Sequence, residues 1–387
     1  MKLTDGTAFG SSPWPKALGG PRNANATIVN FRGTGKTLWS APIRCVPMAV
    51  GEDGCLFAMG GNILYAIEPG GTVRWHRTAN ERFGEPAALA DGSLLVVEDG
   101  RLVARDQRTG DKRWSHDYGY YWRHLAPEVT LDGSIVLIRG VSSSWEDLEL
   151  CLLGPGPEVL WTFPLNWGPH RVSILEGVIA VTDKSYLLGL DYIGRLLWIA
   201  DRHGFVAGSD ATGVERSIEY EEFTTAPMRL DGSKIAAGCK WYSGQDILIF
   251  DTASRLVALS GSPRNLRSPV TLILSAPSRL AGNLLENIYS CEITGQMVFE
   301  KKLQWKILNI ISDASGNIVA STSVDHDYWN KYREPYSLHD RCGLTGLDAA
   351  GNELFRWVAP GPMSEALAVG KEGEIYCASE GRLWAVG

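Results

Sequence analysis

Five tryptophans recur along the first half of the chain at nearly constant spacing, and this period constrains the fold more than any other feature. The intervals are 36, 39, 47 and 37 residues between Trp39, Trp75, Trp114, Trp161 and Trp198. Most of these residues close the same short phrase, in which an acidic residue is followed by a glycine turn and then by tryptophan. The fullest copy runs from Ala104 to Trp114, and shorter copies are Glu68…Gly71…Trp75 and Asp191…Gly194…Trp198. A period of this length predicts a repeat protein whose units stack on one another.

Degenerate copies of the phrase continue through the second half of the chain, where other side chains replace the tryptophan. They are Asp251…Ser254…Ala258, Glu292…Gly295…Phe299 and Asp348…Gly351…Phe355. The phrase predicts a hairpin in which the acidic residue ends one strand and glycine supplies a positive-φ turn. The aromatic residue then packs from the next strand onto a neighbouring unit.

A second signature precedes the hairpin in most repeats: a proline, a short apolar strand, and an Asp-Gly turn. It occurs at Pro47…Asp53-Gly54, Pro86…Asp91-Gly92, Pro127…Asp132-Gly133 and Pro227…Asp231-Gly232, with Glu176-Gly177 and Asp313…Gly316 as variants. Together the two signatures predict four short strands per repeat. The positions of the last strand give a count of eight repeats.

These signatures resemble the docking motif of the bacterial-type PQQ-like repeat β-propellers, the quinoprotein-like superfamily that includes BamB-like proteins and has WD-like repeats. The resemblance extends over nearly the whole chain. It implies an all-β fold: an eight-bladed β-propeller of four-stranded antiparallel blades. Because propellers of one architecture host enzymes, scaffolds and sensors, the resemblance specifies fold more closely than function.

The two ends of the chain complement each other in this scheme. The segment from Pro362 to Gly387 contains strand patterns but stops before a docking hairpin, whereas Thr27 to Trp39 has the pattern of a hairpin without a blade. We therefore expect the N-terminal strand to join the C-terminal blade and close the ring, which leaves no exposed edge there. Residues 1–387 are then a single propeller domain, with residues 27–40 as the final hairpin of the closing blade and residues 1–26 as a lead-in along it.

Composition excludes several classes of partner. The net charge of −7 provides no basic stripe for phosphate backbones, so we expect no nucleic-acid partner. The N-terminal residues lack the apolar core of a signal peptide, and no stretch approaches membrane-spanning length, which predicts a cytoplasmic protein without a membrane partner. Seven cysteines without a C-x-x-C pair fit buried thiols, Cys55, Cys151 and Cys377 among them.

Insertions concentrate on one predicted face. In a blade of strands A to D, the A–B and C–D turns share one face, called here the lower face, and the B–C and D–A connections share the other, the upper face. The upper-face insertions span residues 115–126, 139–148, 162–171, 199–226, 238–246 and 321–342, and they contain Trp122, Trp167, Trp241 and Trp329. Long, aromatic-rich loops on one face predict a binding face. The alternative is that the loops cap the channel and pack on each other.

The residues that enter the innermost strands should surround the central axis on the upper face. In chain order they are Arg44, Glu85, His124, His170, Thr225, Arg267, Lys306 and Glu365. Such a rim could bind a small polar or anionic molecule, a zwitterion, or the end of a peptide or protein. The alternative is that these charges pair with each other around a water-filled channel.

Evidence for a cofactor or a metal is absent from the sequence. Quinone-bearing members of the resembling family carry a secretion signal, calcium-binding carboxylates and usually a vicinal disulfide, and this chain has no Cys-Cys pair, so we expect no cofactor. The cluster Asp325-His326-Asp327 matches no established metal or acid–base spacing, and we expect no metal. The segment from Gly33 to Thr37 lacks the first glycine and the helix that a P-loop needs.

Two functions remain open from the sequence. The first is a non-catalytic ligand- or protein-binding scaffold that acts through the loop-decorated upper face and the charged funnel. The second is a lyase, isomerase or cyclase that acts on a small polar or anionic substrate in the same funnel, with His124, His170 or His326 as acid or base. The first is favoured because no catalytic motif is visible, but whether the protein is an enzyme stays open.

Overall fold

The computed structural model describes thirty-three strands. The described residues are 11–14, 16, 26–117, 127–130, 132–141, 148–155, 158–165, 171–175, 177–182, 186–201, 222–223, 228–229, 234–241, 244–251, 256–261, 271–276, 279–284, 286–292, 296–303, 306–323 and 342–387. Between residues 198 and 278 the description covers backbone strands but no side chains. In the described parts of the chain, no helix is long and apolar enough to cross a membrane.

The strands follow one another in groups of four. After β1 (Thr37–Ala41), the first four blades are β2 (Val46–Val50), β3 (Leu56–Gly60), β4 (Ile63–Ile67) and β5 (Val73–Thr78); β6 (Ala87–Ala88), β7 (Ser93–Glu98), β8 (Arg101–Asp106) and β9 (Lys112–Asp117); β10 (Glu128–Val129), β11 (Ile135–Gly140), β12 (Leu148–Leu153) and β13 (Val159–Leu165); and β14 (Arg171–Leu175), β15 (Val178–Thr182), β16 (Tyr186–Leu190) and β17 (Leu196–Asp201).

The remaining blades repeat this order with one addition. Blade 5 is β18 (Glu222–Phe223), β19 (Met228–Arg229), β20 (Lys234–Trp241), β21 (Gly244–Asp251) and β22 (Leu256–Gly261); blade 6 is β23 (Thr271–Ala276), β24 (Arg279–Leu284), β25 (Asn287–Glu292) and β26 (Met297–Lys302); blade 7 is β27 (Ile307–Ser312), β28 (Ile318–Thr322), β29 (Gly343–Leu347) and β30 (Glu353–Val358); and blade 8 is β31 (Met363–Val369), β32 (Ile375–Ser379) and β33 (Arg382–Val386), completed by β1.

The sheets form an all-β propeller, which confirms the predicted fold class. In the described residues there are eight separate antiparallel sheets, seven with four strands and one with five. Blade 5 has five strands because both β18 and β19 pair with β20. β18 pairs with the C-terminal half of β20 and β19 with its N-terminal half. The inner strands of successive blades contact each other, as β27 does with β31 and β31 with β2. The hydrophobic clusters lie between neighbouring blades and hold the sheets face to face.

In five of the eight blades the described residues show the same docking contact, in which one aromatic residue covers one glycine of the next blade. The indole of Trp75 in blade 1 covers Gly110 in blade 2, where an added Cβ would lie 2.7 Å from the ring. The same indole N–H donates to the carbonyl of Gln107 at 2.9 Å. Gly110 has a φ of 73°, so both the backbone and the close approach require glycine. The same contact joins Trp39 to Gly71, Trp161 to Gly194, Phe299 to Gly351 and Phe355 to Gly35.

The acidic residue of the repeat phrase organises the docking turn. The Asp348 carboxylate accepts hydrogen bonds from the backbone N–H groups of Ala350 and Asn352, at 2.9 and 2.8 Å. These bonds and one from the Asn352 side chain lower the pKa of Asp348. Asp191 accepts in the same way from the N–H groups two and four residues later. The acid therefore fixes the turn that presents glycine to the aromatic ring.

The C–D pair of every blade contains a β-bulge next to the docking residue. The register skips one residue immediately before the aromatic position in blades 1 to 4 and 6 to 8, and before Ala258 in blade 5. We call the skipped residues the bulge residues: Leu38, Arg74, Arg113, Leu160, Leu197, Val257, Val298 and Leu354. A bulge leaves one residue out of the ladder and increases the local twist.

The N-terminal strand closes the ring as predicted. β1 pairs antiparallel with β33, Ala41 opposite Leu383. Lys36 and Gly387 exchange two backbone hydrogen bonds of 2.9 Å, so the two chain ends together form the docking turn of blade 8. The predicted final hairpin over residues 27–40 is wrong in extent, because β31, β32 and β33 already supply three strands and only one position remains for β1.

The segment before the ring lies on the inner strands near the lower face. The backbone carbonyl of Trp14 accepts from Val50, and the Trp14 side chain is 1% exposed. Lys16 pairs with Ala87 of β6, and its ammonium lies 2.7 Å from the Glu128 carboxylate of β10, with the two side chains 2% and 6% exposed. Residues 11–14 and 16 thus contact blades 1 to 3, whereas most of the predicted lead-in over residues 1–26 lies outside the described residues.

The docking contact predicts a large loss of stability when it is removed. Trp75→Ala should lower the free energy of unfolding by about 3–5 kcal/mol, because truncation leaves a cavity between blades 1 and 2. Urea unfolding followed by fluorescence measures the change. The control is Thr78→Ala on the exposed side of the same strand, which should change stability by less than about 0.5 kcal/mol. Equal losses in the two variants would contradict the role given to Trp75.

Removal of β1 should open the ring. A protein that lacks residues 1–41 exposes the edge of β33 and loses the Trp39 contact, so its melting temperature should fall and it should self-associate. Deletion of residues 1–25 retains β1 and should give a closed monomer. Scanning fluorimetry and light scattering at one low protein concentration compare the two. Both deletions remove Trp14 and Lys16, so the closure would be refuted by a monomeric 1–41 deletion that melts at the same temperature as the 1–25 deletion.

The buried ion pair predicts opposite effects of single and paired substitutions. Lys16→Met removes the ammonium beside the Glu128 carboxylate and should cost about 3–5 kcal/mol of unfolding free energy, because a buried charge is left without this partner. The double variant Lys16→Met with Glu128→Leu should recover most of that loss. Urea unfolding of the three proteins tests the pair. A single variant as stable as the parent would show that the pair carries no such coupling.

Candidate functional site

Four of the predicted site residues around the axis on the upper face, called here the upper rim, belong to the described residues. Arg44 lies two residues before the inner strand of blade 1, Lys306 directly precedes that of blade 7, and both are exposed. Glu365 is also exposed and lies within β31, in the interval where the pairing with β32 shifts between Met363 and Leu367. Glu85 precedes β6 and is half-buried. Arg44, Glu85 and Lys306 therefore lie at the entries to inner strands, and Glu365 lies within one.

The other predicted site residues lie outside the described residues. They are Trp122, His124, Trp167, His170, Arg267, His326 and Trp329. Trp241 is a different case, since it ends β20 and pairs with Gly244 across a two-residue turn. The described residues of the predicted insertion over 238–246 therefore belong to the paired strands β20 and β21. The side chain of Trp241 belongs to the undescribed range.

The charges of the rim alternate in sign around blades 7, 8, 1 and 2. Lys306, Glu365, Arg44 and Glu85 follow one another in that order around the axis. Among the described side chains, neither Arg44 nor Lys306 takes part in an ion pair. The two cations lie on either side of β31, so an anionic group above that strand can be approached from both sides.

Blades 7 and 8 are tied together beneath these charges. The side-chain amide of Asn309 in β27 donates to the backbone carbonyl of Glu365 in β31 at 3.0 Å. The backbone N–H of Ser323 donates to the carbonyl of Lys306 at 3.1 Å and fixes the entry to β27. The positions from which Lys306 and Glu365 project are thus held by hydrogen bonds, which limits the entropy lost when a ligand binds.

The opposite end of the channel is partly covered. Trp14 and Lys16 lie on the lower ends of the inner strands of blades 1 to 3, and Ala26 and Thr27 lie on Ser312 at the lower end of β27. The covering side chains Trp14 and Lys16 are buried. Sequence reasoning missed this cover, because residues 11–16 belong to no repeat with which they could be compared.

The described residues show no nucleophile or metal site of an established kind. Burial raises the pKa of the Cys45, Cys55 and Cys151 thiols to about 12, so they stay protonated at neutral pH. Cys55, Cys151 and Cys377 are buried, as their strand patterns predicted. Among the described side chains, no group of three or more His, Cys, Asp or Glu residues is placed to hold a metal ion.

Comparisons with known proteins agree with this architecture. The family model described as "Outer membrane protein assembly factor BamB" matches residues 24–138. The serine/threonine-protein kinase AfsK of Streptomyces coelicolor is 38% identical over 72 residues, which cover 15% of this chain and 9% of that kinase. The chain therefore spans only a small part of the length of this curated relative.

Two solved structures resemble most of the chain. BamB from Moraxella catarrhalis superposes with a TM-score of 0.61 at 17% identity, and the match covers 91% of this chain and 99% of BamB. Sqt1 from Saccharomyces cerevisiae superposes with a TM-score of 0.58 at 11% identity, covering 94% of this chain and 98% of Sqt1. At such identities the likeness concerns the fold alone. The repeat phrase, the family model over residues 24–138 and the fold make the chain similar to the PQQ-like, BamB-like repeat β-propellers.

Proposed function

We propose that the protein is a non-catalytic binding scaffold whose upper face holds a protein or peptide partner. In this proposal an acidic group of the partner lies above β31, between Arg44 and Lys306. The observation that carries the proposal is the pair of exposed cations at the upper rim, neither of which is in an ion pair among the described residues. In this proposal the two cations contribute charge-assisted hydrogen bonds to the partner's acidic group.

The cover at the lower end supports the same direction of approach. Trp14 and the buried Lys16–Glu128 pair lie on the inner strands at the lower face, so a ligand on the axis meets the rim from above. The hydrogen bonds from Asn309 and Ser323 hold the rim backbone in place before binding. A pre-organised site loses less entropy on association than one that must be ordered by the ligand.

The family model adds a reason to favour a protein partner. It is described as an outer membrane protein assembly factor, and an assembly factor works by contact with other proteins. We extend that character to this chain as part of the proposal. Propellers of one fold serve several functions, so the rim charges rather than the fold carry the argument.

The test compares partner capture by the parent protein and by rim variants. Parent protein and the double variant Arg44→Glu with Lys306→Glu are immobilised and exposed to a lysate of the source organism, and the recovered partner is then titrated in purified form. The double variant should weaken binding by about 2–5 kcal/mol where the cations are desolvated in the complex. Its melting temperature should change little, because exposed charges contribute little to folding.

Lys371→Glu is the matched control for charge. Lys371 is an exposed cation on the lower face, in the A–B turn of blade 8, and its ammonium donates to the carbonyl of Glu52 at 3.1 Å. This variant should retain full binding. If it loses binding as the rim variant does, or if the rim variant loses stability and keeps full affinity, the functional face has been misplaced. Thermal-shift measurements with citrate and phosphate then tell a small anion from a protein partner.

A further inference from the structure

The innermost strands of blades 7, 8 and 1 each contain a β-bulge. Leu308 is skipped in the pairing of β27 with β28, and Met48 in the pairing of β2 with β3. Residues 364–366 interrupt the pairing of β31 with β32. A fourth bulge of this kind, at Ser275 in blade 6, lies toward the lower face. In blades 2, 3 and 4 the described pairs of the same two strands keep an unbroken register. Bulges re-aim side chains and are frequent beside functional sites.

These three bulges place apolar side chains below the charges of the upper rim. Each innermost strand runs from the upper to the lower face, so the residue that comes later in the chain lies deeper. A rim charge is followed by a half-buried apolar residue on all three strands: Lys306 by Leu308, Glu365 by Ala366, and Arg44 by Met48. Neighbouring blades cover both faces of an innermost strand, so solvent reaches these side chains from the channel. We call Met48, Leu308 and Ala366 the channel wall.

Two of these strands already pair with an extended segment at their lower ends. The N–H of Val50 in β2 donates to the Trp14 carbonyl at 2.6 Å, and the N–H of Thr27 donates to the carbonyl of Ser312 in β27 at 2.9 Å. In the described residues these contacts of the N-terminal segment lie below the channel wall. The inner edges of β2 and β27 therefore accept main-chain hydrogen bonds, which is the way that extended peptides add to the edge of a sheet.

Two polar groups at the β31 bulge favour a peptide over a simple anion. The Ser364 hydroxyl is buried and forms no hydrogen bond within the described part of the chain. A buried hydroxyl without a partner is costly, and the main chain of a ligand can supply that partner. Glu365 is exposed and joins no ion pair among the described side chains. Its carboxylate accepts hydrogen bonds from peptide N–H groups but repels a bare carboxylate ligand.

From these features we infer that the channel wall binds an extended peptide segment of the partner, in which an acidic residue and a large apolar residue stand two positions apart. The acidic side chain lies between Arg44 and Lys306, and the apolar side chain lies on the channel wall. A main-chain N–H group between them donates to Glu365. The inference rests on the function proposed for the upper face and adds the chemistry of the segment that is recognised there.

The spacing of two positions follows from strand geometry. Lys306 and Leu308 are two residues apart, which corresponds to about 7 Å along an extended chain. In an extended peptide, side chains two positions apart lie on one face at about the same distance, whereas adjacent side chains point to opposite faces. A peptide with the acidic and apolar residues two positions apart can therefore contact Lys306 and Leu308 together. A peptide in which they are adjacent can contact only one of them.

Fluorescence anisotropy with labelled, end-capped peptides tests the inference on the full chain. The probe is Gly-Ser-Asp-Ser-Phe-Ser-Gly, and its matched control, Gly-Ser-Asp-Phe-Ser-Ser-Gly, has the same composition and charge. The probe should bind the parent protein at least about tenfold more tightly than the control, because burial of a phenylalanine side chain strengthens binding by about tenfold to a hundredfold. A third peptide, with serine in place of phenylalanine, should bind as weakly as the control.

Protein variants show whether the channel wall causes this preference. Met48→Ser and Leu308→Ser should each remove most of the difference between the probe and its control, and Met48→Ser decides the question where Leu308→Ser lowers the melting temperature. Met59→Ser is the matched variant, because Met59 is a half-buried methionine of the same blade in the second strand from the axis. It should keep the full preference.

The outcomes separate this inference from the proposed function. Equal affinity for the probe and its control, with both weakened in the double variant Arg44→Glu with Lys306→Glu, would overturn the inference and leave the proposed function standing. Affinities that the double variant does not change would instead count against the proposed function. The inference also fails if the parent protein binds no probe at millimolar concentration, if Met48→Ser keeps the full preference, or if hexanoate displaces the probe at equal concentration.

Discussion

The contact between an aromatic ring and the glycine of the next blade is the interaction on which the whole ring depends. A four-stranded sheet with two apolar faces cannot bury both of them alone, so each blade needs a neighbour on either side. The ring of Trp75 lies where a Cβ at Gly110 would be 2.7 Å away, which leaves room for glycine only. The indole N–H also satisfies a carbonyl of the same turn, Gln107. One contact thereby combines apolar burial, backbone conformation and a hydrogen bond.

The same contact explains why most of the fold could be predicted from the sequence. The acid, the glycine and the aromatic residue lie close together in the chain, and the geometry of one turn dictates their types, so the phrase recurs visibly in each unit. Closure was predicted because the C-terminal segment stops before a docking hairpin, whereas residues 27–39 have the pattern of a hairpin without a blade. The two chain ends complete that turn through Lys36 and Gly387. The predicted hairpin was too long because the sequence analysis counted repeat phrases. It did not count the strands of blade 8, three of which come from the C-terminal segment.

The elements that sequence reasoning missed are those without a repeat to compare. Residues 11–16 have no counterpart in other blades, and Lys16 meets Glu128 across 112 positions of the chain, a separation that no local pattern reveals. Charge pairing and burial decide that contact, and both are tertiary properties. For the rim, the sequence placed Arg44 and Lys306 at strand entries, but their lack of ion pairs among the described residues could be read only from the structure.

The bulge links the docking contact to the character of the surface. Because the aromatic residue must turn toward the next blade, the residue before it leaves the ladder and projects from the sheet. Its type is then decided by what surrounds it. Arg74 ties two turns of its own blade together, and its hydrogen bond lowers the pKa of Glu68, whereas Leu197 leaves the equivalent place in blade 4 apolar. A repeated constraint on stability thus frees one position per blade, at which blades that share one fold can present different surfaces.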